Sequence, residues 1–333
     1  MQSHGLVDLQ VNGYAGVDFN DSGLTADALD HALAAMLRDG VTACLPTLIT
    51  ATEAELAERF AALDGAVAGS RLGPVMVPGF HLEGPFLNPT PGYAGCHPAD
   101  AMGLPDAGLL ERVTGGLRRP VLLLTLAPER EGALDVVAWA RARGVVVAMG
   151  HTAASVEETA LAVEAGVRLS THLGNALPQP QPKFFNPLMA QLGADGLIAS
   201  FIADGIHVPM HALRVMLRAK GLGHSILVTD ATSAAAAEPG LYGFAGMVIE
   251  HAADGSVRVP GGSVLAGSAL RLDQAVRNCV SWGLASADEA VAMASGQPAA
   301  LLGIDWDYGC VDWSADVLPE RVVLGDGTIS GIR

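Results

Sequence analysis

The sequence is poor in residues that mark several classes of protein. Charged residues make up 16 % of the 333 residues and aromatic residues 5 %, whereas half of the chain is hydrophobic. Such a chain can bury a large core and is not disordered. No run of about 18 uncharged apolar residues occurs, and the N-terminus has no basic segment followed by an apolar one. We therefore expect a cytoplasmic protein with no membrane contact.

Basic residues and cysteines are also scarce. The chain has 19 Lys and Arg against 35 Asp and Glu, a net charge of −16, which disfavours nucleic acid as a partner. An anionic substrate must therefore be met by a local cluster of donors. The four cysteines show no C-x-x-C spacing, which fits a reducing compartment and argues against a thiolate zinc site.

Short apolar runs alternate with amphipathic helical segments along most of the chain. This pattern is typical of parallel strands joined by helical crossovers, and eight such strands predict a (β/α)8 TIM-like barrel, with a doubly wound open sheet as the alternative. The predicted strands are Leu6–Val11, Val41–Leu45, Val75–Leu82, Val121–Leu126, Val145–Ala148, Leu169–Leu173, Leu197–Ile202 and Ile226–Thr229. The predicted crossover helices are Thr25–Arg38, Thr52–Ala66, Asp106–Leu117, Gly132–Arg143, Ser155–Ala165, Pro187–Leu192 and Pro209–Ala219.

Two stretches interrupt this alternation. Met247–His251 and Ser256–Val259 flank a turn sequence and predict a β-hairpin inserted at about 242–262. Arg321–Leu324 and Thr328–Ile332 predict a second hairpin near the end of the chain, and helices are expected over Ser268–Trp282 and Ser286–Leu302. The predicted organisation is a barrel over residues 4–302 and a small β unit over 303–333.

Polar residues cluster at the predicted ends of four barrel strands. Glu83, His151, His172 and Asp230 lie at or just after these ends, which converge on one mouth of a barrel. One carboxylate with two imidazoles is a common ligand set for a catalytic divalent metal. The alternative is that each histidine is merely satisfied in the core, but four such residues at successive strand ends favour a site.

Six segments, taken in order, resemble the motifs of the N-acetylglucosamine-6-phosphate deacetylases of the amidohydrolase superfamily. The match runs from about residue 4 to residue 302. It rests on His81-Leu82-Glu83-Gly84-Pro85-Phe86-Leu87-Asn88, Gly150-His151-Thr152, Thr171-His172-Leu173-Gly174-Asn175-Ala176, Ala203-Asp204-Gly205-Ile206-His207-Val208, Leu227-Val228-Thr229-Asp230-Ala231 and Leu265-Ala266-Gly267-Ser268. The resemblance implies an amidohydrolase barrel that removes the acetyl group from an N-acetyl amino sugar, most simply N-acetylglucosamine-6-phosphate, and releases acetate.

The resemblance also implies roles for individual residues. Glu83, His151 and His172 match the ligands of a divalent metal, and Asp230 matches the catalytic acid/base. The metal is expected to be Zn²⁺, although Fe²⁺ or Co²⁺ would fit the same ligands. The residues that match substrate contacts are His97, Asn175, Ala176, His207, Leu265, Ala266 and Gly267.

The first predicted strand carries two amides where many amidohydrolases have His-x-His. Gln10 and Asn12 share one face of that strand, and amides are poor ligands for transition metals compared with imidazole. We therefore expect one metal ion per chain. The two amides are expected either to hydrogen-bond the water on the metal or to lock the floor of the barrel.

The position that matches the family's phosphate-binding arginine differs in this sequence. Where the family has an arginine shortly after the Thr171-His172 motif, this chain has Lys183, one of only two lysines. Lysine offers a point charge without the bidentate fork of arginine, so Lys183 is expected either to replace that contact weakly or to be a solvated loop residue. The alternatives to a phosphorylated substrate are an unphosphorylated N-acyl sugar, another amide, or a non-catalytic metal-binding barrel.

The small β unit also departs from the family pattern. The family builds a β-sandwich from strands on both sides of the barrel, whereas here the first barrel strand begins at Leu6. We expect a truncated remnant that lacks the N-terminal half of the sandwich. Its uncovered strand edges, together with the apolar composition, predict a homodimer.

Overall fold

A computed structural model describes residues 1–262, 264–303, 308–327 and 329–330. Its eight-stranded sheet is parallel throughout, in the order β2-β5-β6-β7-β8-β9-β10-β11. The strands, in chain order, are β1 (Gln2–His4), β2 (Leu6–Val11), β3 (Gly13–Tyr14), β4 (Val17–Asp18), β5 (Val41–Ile49), β6 (Phe80–Glu83), β7 (Val121–Leu126), β8 (Val146–Met149), β9 (Leu169–Ser170), β10 (Ile198–Phe201), β11 (Ser225–Leu227), β12 (Gly240–Phe244), β13 (Met247–His251), β14 (Val257–Arg258), β15 (Cys310–Trp313), β16 (Pro319–Val323) and β17 (Ile329–Ser330).

The sheet closes on itself where the first barrel strand meets the last. The backbone N–H of Asp230 donates to the carbonyl of Gln10 at 3.0 Å, and that of Asn12 donates to Ala231 at 2.7 Å. β2 and β5 are buried along their whole length, as expected for strands covered on both faces. The predicted (β/α)8 barrel is confirmed, and the open sheet is excluded.

Helices cover the outside of the barrel. They are α1 (Ala26–Arg38), α2 (Glu53–Gly69), α3 (Gly73–Met76), α4 (Ala107–Thr114), α5 (Ala133–Arg141), α6 (Val156–Ala165), α7 (Pro187–Leu192), α8 (Met210–Lys220), α9 (Leu272–Ser281), α10 (Ala287–Ala294) and α11 (Gly296–Leu302). Thr52 and Ser155 begin α2 and α6 with capping boxes, which satisfy free N–H groups at the first turn. Within the described part of the chain, no helix combines the length and apolar character needed to cross a bilayer.

Two predicted elements differ in the structure. The apolar run Val75–Leu82 begins as the short helix α3 and becomes a strand only at Phe80, because Pro74 and Pro78 punctuate the run. The predicted helix Ser286–Leu302 is divided at Ser295, whose backbone leaves helical geometry between α10 and α11. In both cases the apolar pattern continues through a point where the regular backbone ends. Apolar composition alone therefore does not locate the break.

The inserted hairpin has an additional strand. β13 pairs with β14 across the predicted turn, and β12 pairs with β13 on its other side. The insert is therefore a three-stranded antiparallel sheet that begins at Gly240 rather than at about residue 242. The side chains of Phe244 and Ile249 pack in a small apolar cluster that also contains Ile49 from the barrel. This contact places the inserted sheet beside the barrel mouth.

The small terminal sheet corrects one expectation. Residues 2–4 form β1, which pairs antiparallel with β15, so the sheet does contain an N-terminal strand. The indole N–H of Trp313 donates to Ser3 Oγ at 2.8 Å, tying the two ends of the chain together. The second predicted hairpin is present as β16 and β17, although Thr328 and residues 331–333 lie outside the described residues.

Candidate metal centre and substrate cavity

The ends of the barrel strands open into a cavity of about 580 Å³. Most of the residues predicted for the site line it, although they come from distant parts of the chain. They are Asn12, Glu83, His97, His151, His172, Asn175, Ala176, His207, Asp230, Leu265 and Gly267. Gln10, Lys183 and Ala266 are not among the lining residues.

Glu83 is the centre of a buried cluster of imidazoles. Its Oε1 lies 2.9 Å from His172 Nε2 and 3.2 Å from His151 Nε2, and its Oε2 lies 3.6 Å from His97 Nε2. Burial by itself would raise the pKa of Glu83. The contacts with His151, His172 and His97 outweigh burial and hold that pKa well below its usual range, so the carboxylate is ionised.

The partners of His151 show what this cluster is built to hold. His151 Nδ1 lies 2.7 Å from the carbonyl oxygen of Tyr93, which can only accept, so Nδ1 carries the proton. In the neutral ring, Nε2 then presents a lone pair to Glu83 Oε1, and two acceptors face each other. Either a proton on Nε2, which gives the hydrogen bond that lowers the pKa of Glu83, or a metal cation between the two atoms removes this conflict. The donor set therefore fits a divalent metal ion.

His97 has the same arrangement and lies closer to the cluster than sequence reasoning placed it. The Thr50 hydroxyl donates to the carbonyl of Glu83 at 3.3 Å and accepts from His97 Nδ1 at 3.0 Å. The Nε2 lone pair of His97 therefore also faces Glu83. Single ligand atoms of Glu83, His97 and His151 lie within 4.8 Å of one another. The sequence identified His97 as a substrate contact, because nothing in the loop shows that it folds back onto Glu83.

Asp230 lines the same cavity and is held by the two amides of the first barrel strand. The side-chain N–H groups of Asn12 and Gln10 donate to its Oδ1 at 2.8 and 3.1 Å. Burial, followed by the charge of Glu83, raises the pKa of Asp230 to about 6. A carboxyl with such a pKa can both take up and release a proton near neutral pH.

Three of the predicted catalytic residues have unusual backbone geometry. His151, His172 and Asp230 have φ values of 50°, 31° and 48°, in the left-handed region that residues other than glycine rarely adopt. Each lies just beyond the end of a barrel strand, where the chain turns sharply. Such strain persists where the surrounding structure holds it and is concentrated at functional sites.

Not every histidine near the barrel mouth belongs to the cluster. His81 is fully buried, its Nε2 lies 2.8 Å from Thr125 Oγ1 and its Nδ1 lies 3.3 Å from Thr47 Oγ1. Burial lowers the pKa of His81 to about 4, so the ring is neutral. For this residue, the interpretation as a satisfied core histidine holds.

His207 forms a separate pair at the cavity wall. Its Nδ1 lies 2.6 Å from Asp204 Oδ2, and both side chains are buried. Asp204 also accepts from the backbone N–H groups of Ile206 and His207. This fixes the ring so that Nε2 is free to contact a ligand. Asp204 was quoted in the motif but was given no role in the sequence analysis.

The loop after His172 lines the far side of the cavity. Asn175 donates its amide to the carbonyl of His172 at 2.8 Å, and Gln181 donates to Pro178 at 3.1 Å. Gln179 lines the cavity beside them. Lys183 is exposed on the same loop and does not line the cavity, and Phe184 and Phe185 beyond it are 69 % and 86 % exposed.

The barrel, the Glu83 cluster and Asp230 in the same cavity fit the active site of a metal-dependent hydrolase, and sequence comparison agrees with this class. The model of the amidohydrolase family matches residues 4–316. This chain therefore belongs to the amidohydrolase family, whose members are metal-dependent.

Proteins similar to this chain include deacetylases of phosphorylated amino sugars. The N-acetylgalactosamine-6-phosphate deacetylase of Escherichia coli O157:H7 is 34 % identical, over 91 % of this chain and 78 % of its own length. The N-acetylglucosamine-6-phosphate deacetylase of Mus musculus is 33 % identical, over 97 % and 79 %. A mutant N-acetyl-D-glucosamine-6-phosphate deacetylase from Mycobacterium smegmatis, solved in complex with N-acetyl-D-glucosamine-6-phosphate, superimposes with a TM-score of 0.89 at 29 % identity, covering 99 % of this chain and 86 % of that one.

Proposed function

We propose that this chain is an N-acetyl amino-sugar deacetylase that hydrolyses N-acetylglucosamine-6-phosphate to the amino sugar and acetate. The observation that carries the proposal is that Glu83 with its imidazoles and Asp230 line the same cavity. Membership of the amidohydrolase family and the substrates named for its relatives support the same reaction.

Glu83, His151 and His172 are proposed to hold one divalent ion, with Zn²⁺ as the first choice and Fe²⁺ or Co²⁺ compatible with the same ligands. Such an ion would supply Lewis-acid polarisation of the amide carbonyl and would make water more acidic. Gln10 and Asn12 are amides bound to Asp230, so they leave no imidazole pair for a second ion on the first strand.

Asp230 is proposed to carry the protons of the reaction. As water adds to the acyl carbon, the Asp230 carboxylate takes a proton from it, and the protonated carboxyl then delivers that proton to the amine nitrogen as the C–N bond breaks. One carboxyl serves both steps because its pKa is raised to about 6. The amides of Asn12 and Gln10 keep Oδ1 fixed, so the second oxygen is the one directed to the reactants.

His207, His97, Asn175 and Ala176 are proposed to orient the sugar, together with the 265–267 segment. Asp204 holds the His207 ring by Nδ1, which leaves Nε2 to donate to a sugar hydroxyl or to the developing oxyanion. Asn175 uses its N–H on the backbone of His172, so its side-chain oxygen is the group available to accept from the sugar.

The reaction is proposed to take place in the cytoplasm. All four cysteines are unpaired, which is expected in a reducing compartment.

The test is acetate release from N-acetylglucosamine-6-phosphate by protein whose metal content has been measured. We expect turnover that tracks occupancy at one equivalent per chain and disappears after chelation. Metal-loaded protein that releases no acetate would contradict the proposal, and two equivalents bound at the site would contradict the single-ion assignment.

A further inference from the structure

In the part of the chain that the structure describes, no side chain that lines the cavity carries a permanent positive charge. Among the described residues that line it, there is neither lysine nor arginine, and the carboxylates of Glu83 and Asp230 are the full charges present. This is unexpected for a chain whose relatives are named for phosphorylated substrates, because a phosphate is usually bound by charge-assisted hydrogen bonds.

The histidines do not replace the missing cation. His151, His172 and His97 direct their Nε2 atoms at Glu83, so a positive charge on any of these rings would be balanced by that carboxylate. His207 is paired with Asp204 at 2.6 Å, so a positive charge on its ring is balanced by the adjoining carboxylate. His207 can give one hydrogen bond, which a hydroxyl accepts as well as a phosphate does.

Lys183 lies on the loop that follows His172, but its side chain does not line the cavity. The residues of this loop that do line the cavity are Gly174 to Gln179 and Gln181, and their side chains are uncharged. Lys183 is exposed, together with the phenylalanines that follow it. The net charge of −16 also provides no long-range attraction for a dianion.

Neutral amides suit a different substituent. The amide N–H groups of Asn175 and Gln181 already donate to backbone carbonyls, which leaves their oxygens to accept, whereas the amide of Gln179 can both donate and accept. A sugar hydroxyl can therefore be bound in both directions. A phosphate accepts only, and it must give up its hydration without an ionic partner in return. The lining therefore favours an alcohol at this end of the cavity over a dianion.

We propose that this site does not select for the 6-phosphate and that its substrate class is N-acetylhexosamines with a free 6-hydroxyl as well as their 6-phosphates. This inference rests on the proposed function, since it concerns which sugars the same deacetylation accepts as substrates. It differs from what the names of the relatives indicate, because there the phosphate is part of the named substrate.

The test compares kcat/KM for N-acetylglucosamine and N-acetylglucosamine-6-phosphate with the metal-loaded, full-length protein. We expect the two values to differ by less than about tenfold, because a single charge-assisted contact of about 1.5–3 kcal/mol would give a preference of roughly 12- to 150-fold. A preference for the phosphorylated sugar above that ratio would overturn the inference while supporting the proposed function, whether the cation came from this chain or from a second copy. Release of acetate from neither sugar would defeat the proposed function, and the inference with it.

A charge added inside the cavity provides an independent test. Gln179→Arg should raise the preference for the phosphorylated sugar, measured as the ratio of the two kcat/KM values, at least tenfold. Phe184→Arg adds the same charge to the same loop outside the cavity lining, so its preference should equal that of the native protein. No gain in Gln179→Arg, or an equal gain in Phe184→Arg, would show that the missing cation does not set the selectivity.

Lys183→Ala tests the remaining cation of the loop. Because its side chain is exposed and outside the cavity lining, the ratio of the two kcat/KM values should not change. A loss of phosphate preference in this variant would show that Lys183 reaches the substrate, which would overturn the inference.

Discussion

The side-chain amide of Asn12 donates a hydrogen bond to Asp230 Oδ1 at 2.8 Å, across 218 residues of sequence. Gln10, two residues earlier on the same face of β2, donates to the same oxygen at 3.1 Å. The two amides thus hold the proposed acid/base at the point where the barrel closes. The roles predicted for this pair, a hydrogen bond to water on the metal or a lock on the barrel floor, did not include this contact with Asp230.

Replacing Asn12 should move the pH dependence of the reaction. Its hydrogen bond stabilises the ionised form of Asp230 and lowers that pKa, so Asn12→Ala should raise it and shift the acidic limb of kcat/KM upward by roughly one pH unit. Asn175→Ala is the control, because its amide donates to the backbone of His172 and not to Asp230. If the acidic limb of the kcat/KM profile does not shift in Asn12→Ala, or shifts equally in both variants, Asp230 is excluded as the titrating group.

Asp230→Asn should separate catalysis from metal binding. The amide is nearly isosteric but cannot accept a proton, so kcat should fall by roughly 10²–10⁴ while metal content and melting temperature change little. Metal analysis and acetate release on the same preparation provide the measurement. Native activity in Asp230→Asn would remove this residue from the mechanism.

His172→Ala should lose metal and activity together. Its Nε2 lies 2.9 Å from Glu83 Oε1, inside the proposed ligand set, and an alanine leaves no donor there. His207→Ala is the matched comparison, since His207 pairs with Asp204 and should keep its metal while losing turnover. Normal metal content in His172→Ala would show that the ion is held by other residues, among which Glu83, His97 and His151 form the nearest alternative set.

Asp8 should make stability fall as the pH rises. This residue is fully buried below Asp230, where the Thr229 hydroxyl donates to its Oδ2 at 2.6 Å. Burial raises the pKa of Asp8 to about 7, against the opposing hydrogen bonds from Thr229 and Gln10. Between about pH 4 and pH 7 the folded protein therefore holds a proton that the unfolded chain has lost, so the contribution is fully present at low pH and disappears towards pH 7.

The variant Asp8→Asn removes this ionisation. Because the native protein loses stability over this range and the variant does not, the free energy of unfolding of Asp8→Asn relative to native should increase by about 3 kcal/mol between pH 5 and pH 8. Urea unfolding at the two pH values measures the difference. A relative stability that does not vary with pH would mean that Asp8 does not titrate in this window.

The protein is expected to be a homodimer. The small terminal sheet leaves strand edges open, and Phe184 and Phe185 are exposed beside the barrel mouth. Light scattering at micromolar concentration should give a mass about twice the 34.1 kDa of one chain. A mass of about 34 kDa would reject the prediction.

Much of the fold follows from local patterns that the chain carries in every segment. Continuous apolar runs such as Leu6–Val11 and Val121–Leu126 predict buried parallel strands, and both have those bounds in the structure. Capping residues such as Thr52 and Ser155 mark where helices begin. The strand of residues 2–4 was not predicted, because three residues carry no periodicity and pair only with a strand more than 300 residues away.

For the site, the sequence by itself determined which residues meet, since Glu83, His151, His172 and Asp230 all follow strand ends and a closed barrel brings those ends together. Only the tertiary structure decided what each residue contacts. The amides of Gln10 and Asn12 turn to Asp230, His97 folds back onto Glu83, and Lys183 remains outside the cavity. The reason is physical: strand periodicity sets which way a side chain points, whereas the path of a loop depends on long-range packing that no local pattern encodes.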